Sequence, residues 1–249
     1  MSGGLLAGRR VVVVGGASGI GLATVDAVAA AGGSVAVLDR DGDGAASAAA
    51  SARAAGVAAC SHRADVADEA EVAAAIDASA AELGGIDAVL HVAGVMRGQG
   101  LDVRELPLEL WNEVIAINLT GPFLVAKHAA RHMVPAGRGV IVLVGSKAGV
   151  QAGSGSIPYG ASKGGLHGLS LTLARHLRPL GIRVHALCPG DIDTPLMRRS
   201  LDEARANGTD ADRVSRIEAA LGRPEEVASV LALLAAPSAD ALDGTVFTA

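Results

Sequence analysis

Short aliphatic, β-branched runs alternate with longer alanine-rich segments along almost the whole of this chain, and that rhythm restricts its fold more than any other feature. Arg10–Val14, Ser34–Asp39, Ala58–Arg63, Ile86–Val92, Val140–Val144, Arg183–Leu187 and Thr245–Thr248 have the length and side chains of strands. Between them, Gly19–Ala31, Gly42–Ala54, Asp68–Leu83, Pro107–Met133, Pro158–Arg178, Leu196–Ala206 and Pro224–Leu234 have the make-up of helices. Asp68 followed by Glu71 has the spacing of a capping box at the third of these. The strand runs are apolar at consecutive rather than alternate positions, so both faces of the sheet must be covered. Strand and helix in turn, with both sheet faces buried, predict one doubly wound α/β domain over residues 1–249 with no linker. Its parallel sheet should have about seven strands, with helices on both faces.

Composition fits such a core and excludes several alternatives. Half of the 249 residues are hydrophobic but only 2% are aromatic, so the interior must be built from Ala, Val, Leu and Ile. Disorder, collagen and coiled coil are incompatible with that balance, and a surface that stacks single-stranded bases has too few rings to work with. A formal charge of -5 gives no general attraction to phosphate polymers or anionic membranes, so neither is an expected partner. No apolar run reaches the roughly 18 residues of a membrane span, and Leu5-Leu6 followed by Arg9-Arg10 has the wrong order for a signal peptide. A soluble, cytoplasmic protein is expected. Cys60 and Cys188 lie far apart without metal-ligand spacing and are expected to be reduced core residues. His128 and His132 are four apart on a predicted helix, but no third ligand accompanies them, and no metal is expected.

In doubly wound sheets ligands bind beyond the carboxyl ends of the strands, near the point where strand order reverses. After the first strand the chain runs Gly15-Gly16-Ala17-Ser18-Gly19-Ile20-Gly21, with glycines at the turn, at the close approach and at the helix start. Such a loop lets Gly15, Ser18, Gly19, Ile20 and Gly21 face backbone amides toward a pyrophosphate. Asp39 ends the second strand 18 residues beyond Gly21, where a carboxylate can accept from both adenosine ribose hydroxyls and repel a 2′-phosphate. NAD is therefore preferred, while the adjacent Arg40 leaves NADP open. A helix cap is the plainer role for Asp39.

Tyr159 and Lys163 stand four apart on a predicted helix and so share a face, and Ser146 follows the fifth strand 13 residues before the tyrosine. An ammonium beside a phenol favours the phenolate, which draws the tyrosine toward proton exchange near neutral pH. The segment Asp191 to Asp212 breaks the regular rhythm with charge and turn residues, and reads as a mobile substrate lid.

Together these residues resemble the short-chain dehydrogenase/reductase family, and the likeness runs from about Arg10 to Val246. Val14 to Gly21 is similar to the family's TGxxxGIG, Asp65-Val66 to its adenine-contacting Asp, and Ala93-Gly94 to the end of its NNAG. Asn118 in Ile117 to Gly121 matches the catalytic asparagine, and Tyr159 to Lys163 matches YxASK. Pro189-Gly190, with Ile192 and Thr194 after it, is similar to the PG-x-x-x-T segment, and Gly222 to Val227 is also a familiar phrase in the family. The resemblance implies a Rossmann-type fold and a nicotinamide cofactor. It also implies hydride transfer between a secondary alcohol and a ketone. Ser146 would polarise the substrate oxygen, Tyr159 would exchange its proton, Lys163 would also grip the nicotinamide ribose, and Asn118 would hold a relay water. A homotetramer built on the helices that include Asn118–Met133 and Tyr159–Arg178 is implied as well.

The chain departs from the family's pattern at Val14 in place of Thr, at His91-Val92 in place of Asn-Asn, and in a short tail after Asp243. Met96, Val150, Gln151, Ile157 and Leu196 are the expected substrate contacts, a mostly apolar set that selects no one small-molecule alcohol or ketone. Two other functions fit parts of the pattern. An NADPH-dependent 3-oxoacyl-[acyl carrier protein] reductase would need a basic docking patch, to which Arg131, His132 and Arg138 could contribute, but Asp39 opposes its cofactor. A non-catalytic nucleotide-sensing scaffold would show damage at Ser146, Tyr159 or Lys163, and none is seen.

Overall fold

Val11 and Val13 point to one face of a central strand, Val12 and Val14 to the other, and all four are buried. The computed structural model describes residues 4–248 and places this strand, β1 (Arg10–Val14), between β2 (Ser34–Asp39) and β4 (Ala88–His91). Beyond β2 lies the edge strand β3 (Ala59–Arg63); beyond β4 come β5 (Gly139–Val144), β6 (Ile182–Cys188) and β7 (Gly244–Phe247). All seven are parallel in the order β3-β2-β1-β4-β5-β6-β7, so the direction of strand addition reverses between β1 and β4. This is a single α/β domain of the expected class, and its switch point is where a ligand crevice belongs.

On one face, α1 (Gly19–Ala30), α2 (Gly42–Ala54) and α9 (Pro224–Ala235) bring Val25, Val28, Ala48 and Leu231 onto Val11 and Val13. On the other, α3 (Glu69–Leu83), α5 (Gly121–Ala136) and α6 (Ile157–Leu177) bring Ile76, Val125 and Leu166 onto Val12 and Val14. Small alanines at the contact faces of α1 and α2 allow close approach to the sheet, which suits a core with few rings.

The predicted helix over Pro107–Met133 is in fact three pieces. It runs as α4 (Leu108–Ile115), a π turn over Ala116–Thr120, and α5. Pro122 has no N–H to offer the carbonyl of Asn118, four residues back, and Gly121 bonds five residues back to Ala116. The charged segment after β6 also differs from expectation. It holds α7 (Pro195–Ala206) and a further helix, α8 (Ala211–Ala219), which only two apolar residues, Val214 and Ile217, anchor inward. The capping box is half made. Asp68 accepts from the amides of Ala70 and Glu71, but the Glu71 carboxylate turns away to the amide of Asp65 at 2.8 Å. Boundaries elsewhere shift by one or two residues, as at Ala88–His91 and Gly244–Phe247.

Asp87, just ahead of β4, is nearly fully buried and accepts from the Arg10 main chain at 3.1 Å and from its guanidinium at 2.7 and 2.8 Å. Burial alone would raise its carboxyl, but the Arg10 hydrogen bonds outweigh that and hold it below the usual carboxylate range. Removing the carboxylate leaves a guanidinium without its partner, so Asp87→Ala should cost about 3 kcal/mol in urea unfolding at neutral pH. A native value below the unfolded one means that this contribution is complete above about pH 5 and is lost as pH falls through the native value. The stability gap between wild type and variant should therefore close toward acid, and a gap independent of pH would remove the ion pair as its cause.

Candidate active site

The glycine loop opens the site. Gly15 takes φ +87° at the end of β1, where a Cβ would lie 2.5 Å from the amide nitrogen of Ala93. A Cβ on Gly21 would lie 1.8 Å from the Gly15 carbonyl oxygen, so the helix can start this close to the strand only with glycine there. Ser18 is the residue before α1, but its side chain makes no capping bond, and the first turn carries no acid. The N-terminal amides of α1 are thus left with a positive dipole end and no internal acceptor, which fits an anionic group.

Asp39 ties this loop to β2: its carboxylate accepts from the amides of Ala17 and Asp41, each at 3.0 Å. The cap of α2 is Asp41, which accepts from Gly44, so the plainer role considered for Asp39 falls to its neighbour. Both Asp39 and Arg40 line the cleft, and Ala64, Asp65 and Val66 continue its wall. The Asp65 carboxylate accepts from Ala67 at 2.9 Å, while Val66 packs 3.0 Å from where a Cβ on Gly121 would stand.

At the far side of the switch point, Ala93, Gly94 and Val95 follow β4 over Asn118, which is fully buried on the π turn. Its side chain closes both ends of Val95, accepting from the amide and donating to the carbonyl at 2.8 Å, and donates to Ser162 at 3.1 Å. Asn118 thus braces the β4 exit loop against α6, and it does not itself line the cleft. Gly21 lies behind the loop in the same way.

Ser146, Tyr159 and Lys163 meet on the cleft floor. Ser146 leaves β5, accepts from Ala148 at 3.1 Å, and has its hydroxyl near enough to the Tyr159 phenol to lower its proton affinity. Lys163 lies one turn along α6, donates to the Val144 carbonyl at 2.8 Å, and holds its ammonium nitrogen 5.7 Å from the Tyr159 ring centre. Tyr159 is partly buried. Burial pushes the phenol up to about 12, and the neighbouring Ser146 hydroxyl works in the other direction. Burial brings Lys163 down to about 8. The direct lowering of the phenol by Lys163 expected from spacing is therefore not the dominant effect. Desolvation sets both groups, and Ser146 is the neighbour that favours the phenolate.

The opposite wall comes from Pro189, Gly190, Ile192 and Thr194 after β6, then from α7 and α8. Thr194 caps α7 by accepting from Met197 at 3.1 Å, and its methyl sits 3.2 Å from where a Cβ on Gly19 would be. The segment read as a mobile lid is latched: Glu203 accepts from Gly98 at 3.0 Å, and Asn207 donates to the Gln99 carbonyl at 2.7 Å. Met96 and Leu196 line the cleft as expected. Val150, Gln151 and Ile157 do not. The turn after Ser146 folds back on the Lys147 carbonyl and carries Val150 and Gln151 away, and Ile157 stands exposed at the start of α6. Gly153, Ser154 and Gly155 form that stretch of wall instead. Arg199, Arg213 and Ile217 also reach the cleft; the last two were missed because α8 has too few apolar residues to signal a helix.

The pattern of the short chain dehydrogenases matches residues 9–205. This chain belongs to that family. Its relatives include the cis-4-hydroxycyclohexanecarboxylate dehydrogenase of Sinomonas cyclohexanicum, 40% identical over 96% of this chain and 93% of that protein. Among solved structures, an NAD+-bound xylitol dehydrogenase superposes with a TM-score of 0.89 at 31% identity, covering 97% of this chain and 98% of its own. An actinorhodin polyketide ketoreductase with NADPH superposes at 0.88 and 32% identity, covering 96% and 95%. The chain is thus an oxidoreductase of a family that binds nicotinamide dinucleotides and acts on alcohols and ketones. No described helix is long and apolar enough to cross a membrane. The two histidines of α5 meet carboxylates of α3 and its start, His128 to Glu69 at 3.1 Å and His132 to Asp77 at 2.7 Å.

Proposed function

We propose that this enzyme interconverts a secondary alcohol and its ketone with NAD(H), on a substrate that carries an anionic group away from the reacting carbon. The observation that carries the reading is the convergence of Ser146, Tyr159 and Lys163 at one end of a cleft whose other end is held by Asp39. The bound nicotinamide would supply the hydride chemistry. Ser146 would hold the substrate oxygen beside the Tyr159 hydroxyl, and Tyr159 would give that oxygen its proton in reduction and take it in oxidation. Lys163, anchored on Val144, would set the protonation state of the pair and reach the ribose. Asp39 would accept from the adenosine ribose, which favours NAD.

The anionic group follows from the cleft's outer wall. Arg97, Arg199 and Arg213 all line it, and among the described residues neither Arg199 nor Arg213 has an ion-pair partner. Arg97 is only loosely paired, 3.9 Å from Glu113. Arginines favour carboxylates because the guanidinium can donate twice in one plane. The relative from Sinomonas cyclohexanicum is named for a ring alcohol that bears a carboxylate, which is the kind of substrate this wall suits.

Initial rates on cis-4-hydroxycyclohexanecarboxylate, its amide and cyclohexanol, each with NAD and NADP, test both halves. NAD should be the better cofactor, and Asp39→Ala should move the ratio toward NADP by at least ~10-fold. The acid should exceed the amide in kcat/KM by about 10-fold, equivalent to about 1.4 kcal/mol. Replacing Arg199 and Arg213 together with alanine should erase that advantage while leaving cyclohexanol turnover in place. Equal rates on acid and amide in the wild type would end the anionic-substrate reading without touching the reaction class.

A further inference from the structure

Cys60 and His62 are two residues apart on β3, so their side chains leave the same face of the edge strand. That face is covered by α3, whose last turn brings in Glu82. One donor atom from each of the three lies within 4.8 Å of the others. None of the three lines the cleft, and none has a part in the proton chemistry above.

We propose that Cys60, His62 and Glu82 form a binding site for a divalent transition metal ion of the zinc type, separate from the active site. The donor set argues for that class. A thiolate, an imidazole and a carboxylate together suit zinc or cobalt far better than calcium or magnesium, which take oxygen ligands. Spacing agrees. An ion bonded at ~2.0–2.3 Å in tetrahedral geometry keeps its donors ~3.3–3.7 Å apart. His62 Nε2 and Glu82 Oε1 stand at 3.3 Å.

An ordinary His–Glu ion pair accounts poorly for the same atoms. His62 Nε2 is shielded from solvent yet makes no hydrogen bond, so despite its distance from Glu82 it is not aligned on the carboxylate. A shielded nitrogen without a partner is costly, and a metal ion between the three groups would satisfy it. Charge balances too: a thiolate and a carboxylate neutralise a divalent ion, with the imidazole neutral. Cys60 is buried while Glu82 is about half exposed, so the fourth position opens to water. The bound ion would pin the sheet's free edge strand to the end of α3. The sequence alone hides this site, because two ligands use strand spacing and the third comes 20 residues later from a helix.

The test uses untagged full-length protein stripped with a chelator and then titrated with cobalt(II). A near-ultraviolet thiolate-to-cobalt charge-transfer band should grow and saturate at one ion per chain, and zinc should abolish it by displacement. Cys60→Ser should remove the band. His62→Ala and Glu82→Gln should each weaken binding by at least ~10-fold, since even indirect neighbours of metal ligands have effects of that order. Glu82 is at the surface, so Glu82→Gln keeps the comparison valid if a change at buried Cys60 disturbs folding. Zinc should also raise the unfolding temperature of the wild type more than that of Glu82→Gln. Absence of the band in the wild type, its persistence in Cys60→Ser, or equal affinity in Glu82→Gln would each overturn the site.

Discussion

Tyr159→Phe should lower kcat for both alcohol oxidation and ketone reduction by about 10³-fold or more, while NADH still binds with nearly wild-type affinity. The substitution deletes one oxygen and keeps the ring that packs 5.7 Å from the Lys163 nitrogen, so the cleft floor keeps its shape. What disappears is the hydroxyl that, in the proposed function, exchanges a proton with an oxygen held by Ser146. General acid–base help of this kind contributes about 10²–10⁴-fold, and a hydride shift coupled to proton transfer belongs at the upper end. Because the interaction is made chiefly in the transition state, kcat and kcat/KM should fall together. Fluorescence titration with NADH beside steady-state rates separates the outcomes. Activity within tenfold of the wild type would mean that Tyr159 is not the acid–base group, whatever the fold.

Much of this was visible in the residues. Strands that are apolar on both faces, such as Arg10–Val14, can sit only inside a covered parallel sheet, and the sheet order then places every strand-end motif at one crevice. Gly15, Gly21 and Asp39 could be read from spacing because each answers a backbone demand: a positive φ, a contact that no Cβ tolerates, and two loop amides in need of an acceptor.

Other parts depend on contacts that spacing does not encode. The helix α8 has only Val214 and Ile217 facing inward, so its periodicity is faint, yet it carries Arg213 to the cleft. Val150 and Gln151 are close to Ser146 in sequence but are turned outward by a tight reversal on Lys147. His91 stands where the family usually has asparagine; it is buried with neither ring nitrogen paired, and burial brings its imidazole down to about 3. It is therefore neutral beside Lys163, which spares that lysine a fixed neighbouring charge. Spacing placed Lys163 on the face of Tyr159 correctly, but the order of their proton affinities is a property of desolvation, which only the packed site reveals.

That order makes the second large prediction. With the phenol near 12 and the ammonium near 8, the first proton to leave the pair on raising pH comes chiefly from the ammonium, and the phenolate–ammonium tautomer is a minor member of the singly deprotonated form. The reducing form carries both protons; the oxidising form has lost one and includes the tautomer with phenolate beside ammonium. Ketone reduction should therefore decline, and alcohol oxidation rise, as pH passes through about 8. Lys163→Met keeps the length of the side chain without its charge and removes this step. Oxidation at pH 8 should fall by about 10²–10³-fold, and its rise with pH should move toward the range of the isolated buried phenol. In the variant, where no ammonium remains, reduction needs only the neutral phenol, so it should lose less and become flat from pH 6 to 9. The pH profiles of kcat/KM in both directions decide it. A variant that keeps an oxidation step near pH 8 would show that some other group titrates there, and Lys163 would be left with a role in binding alone.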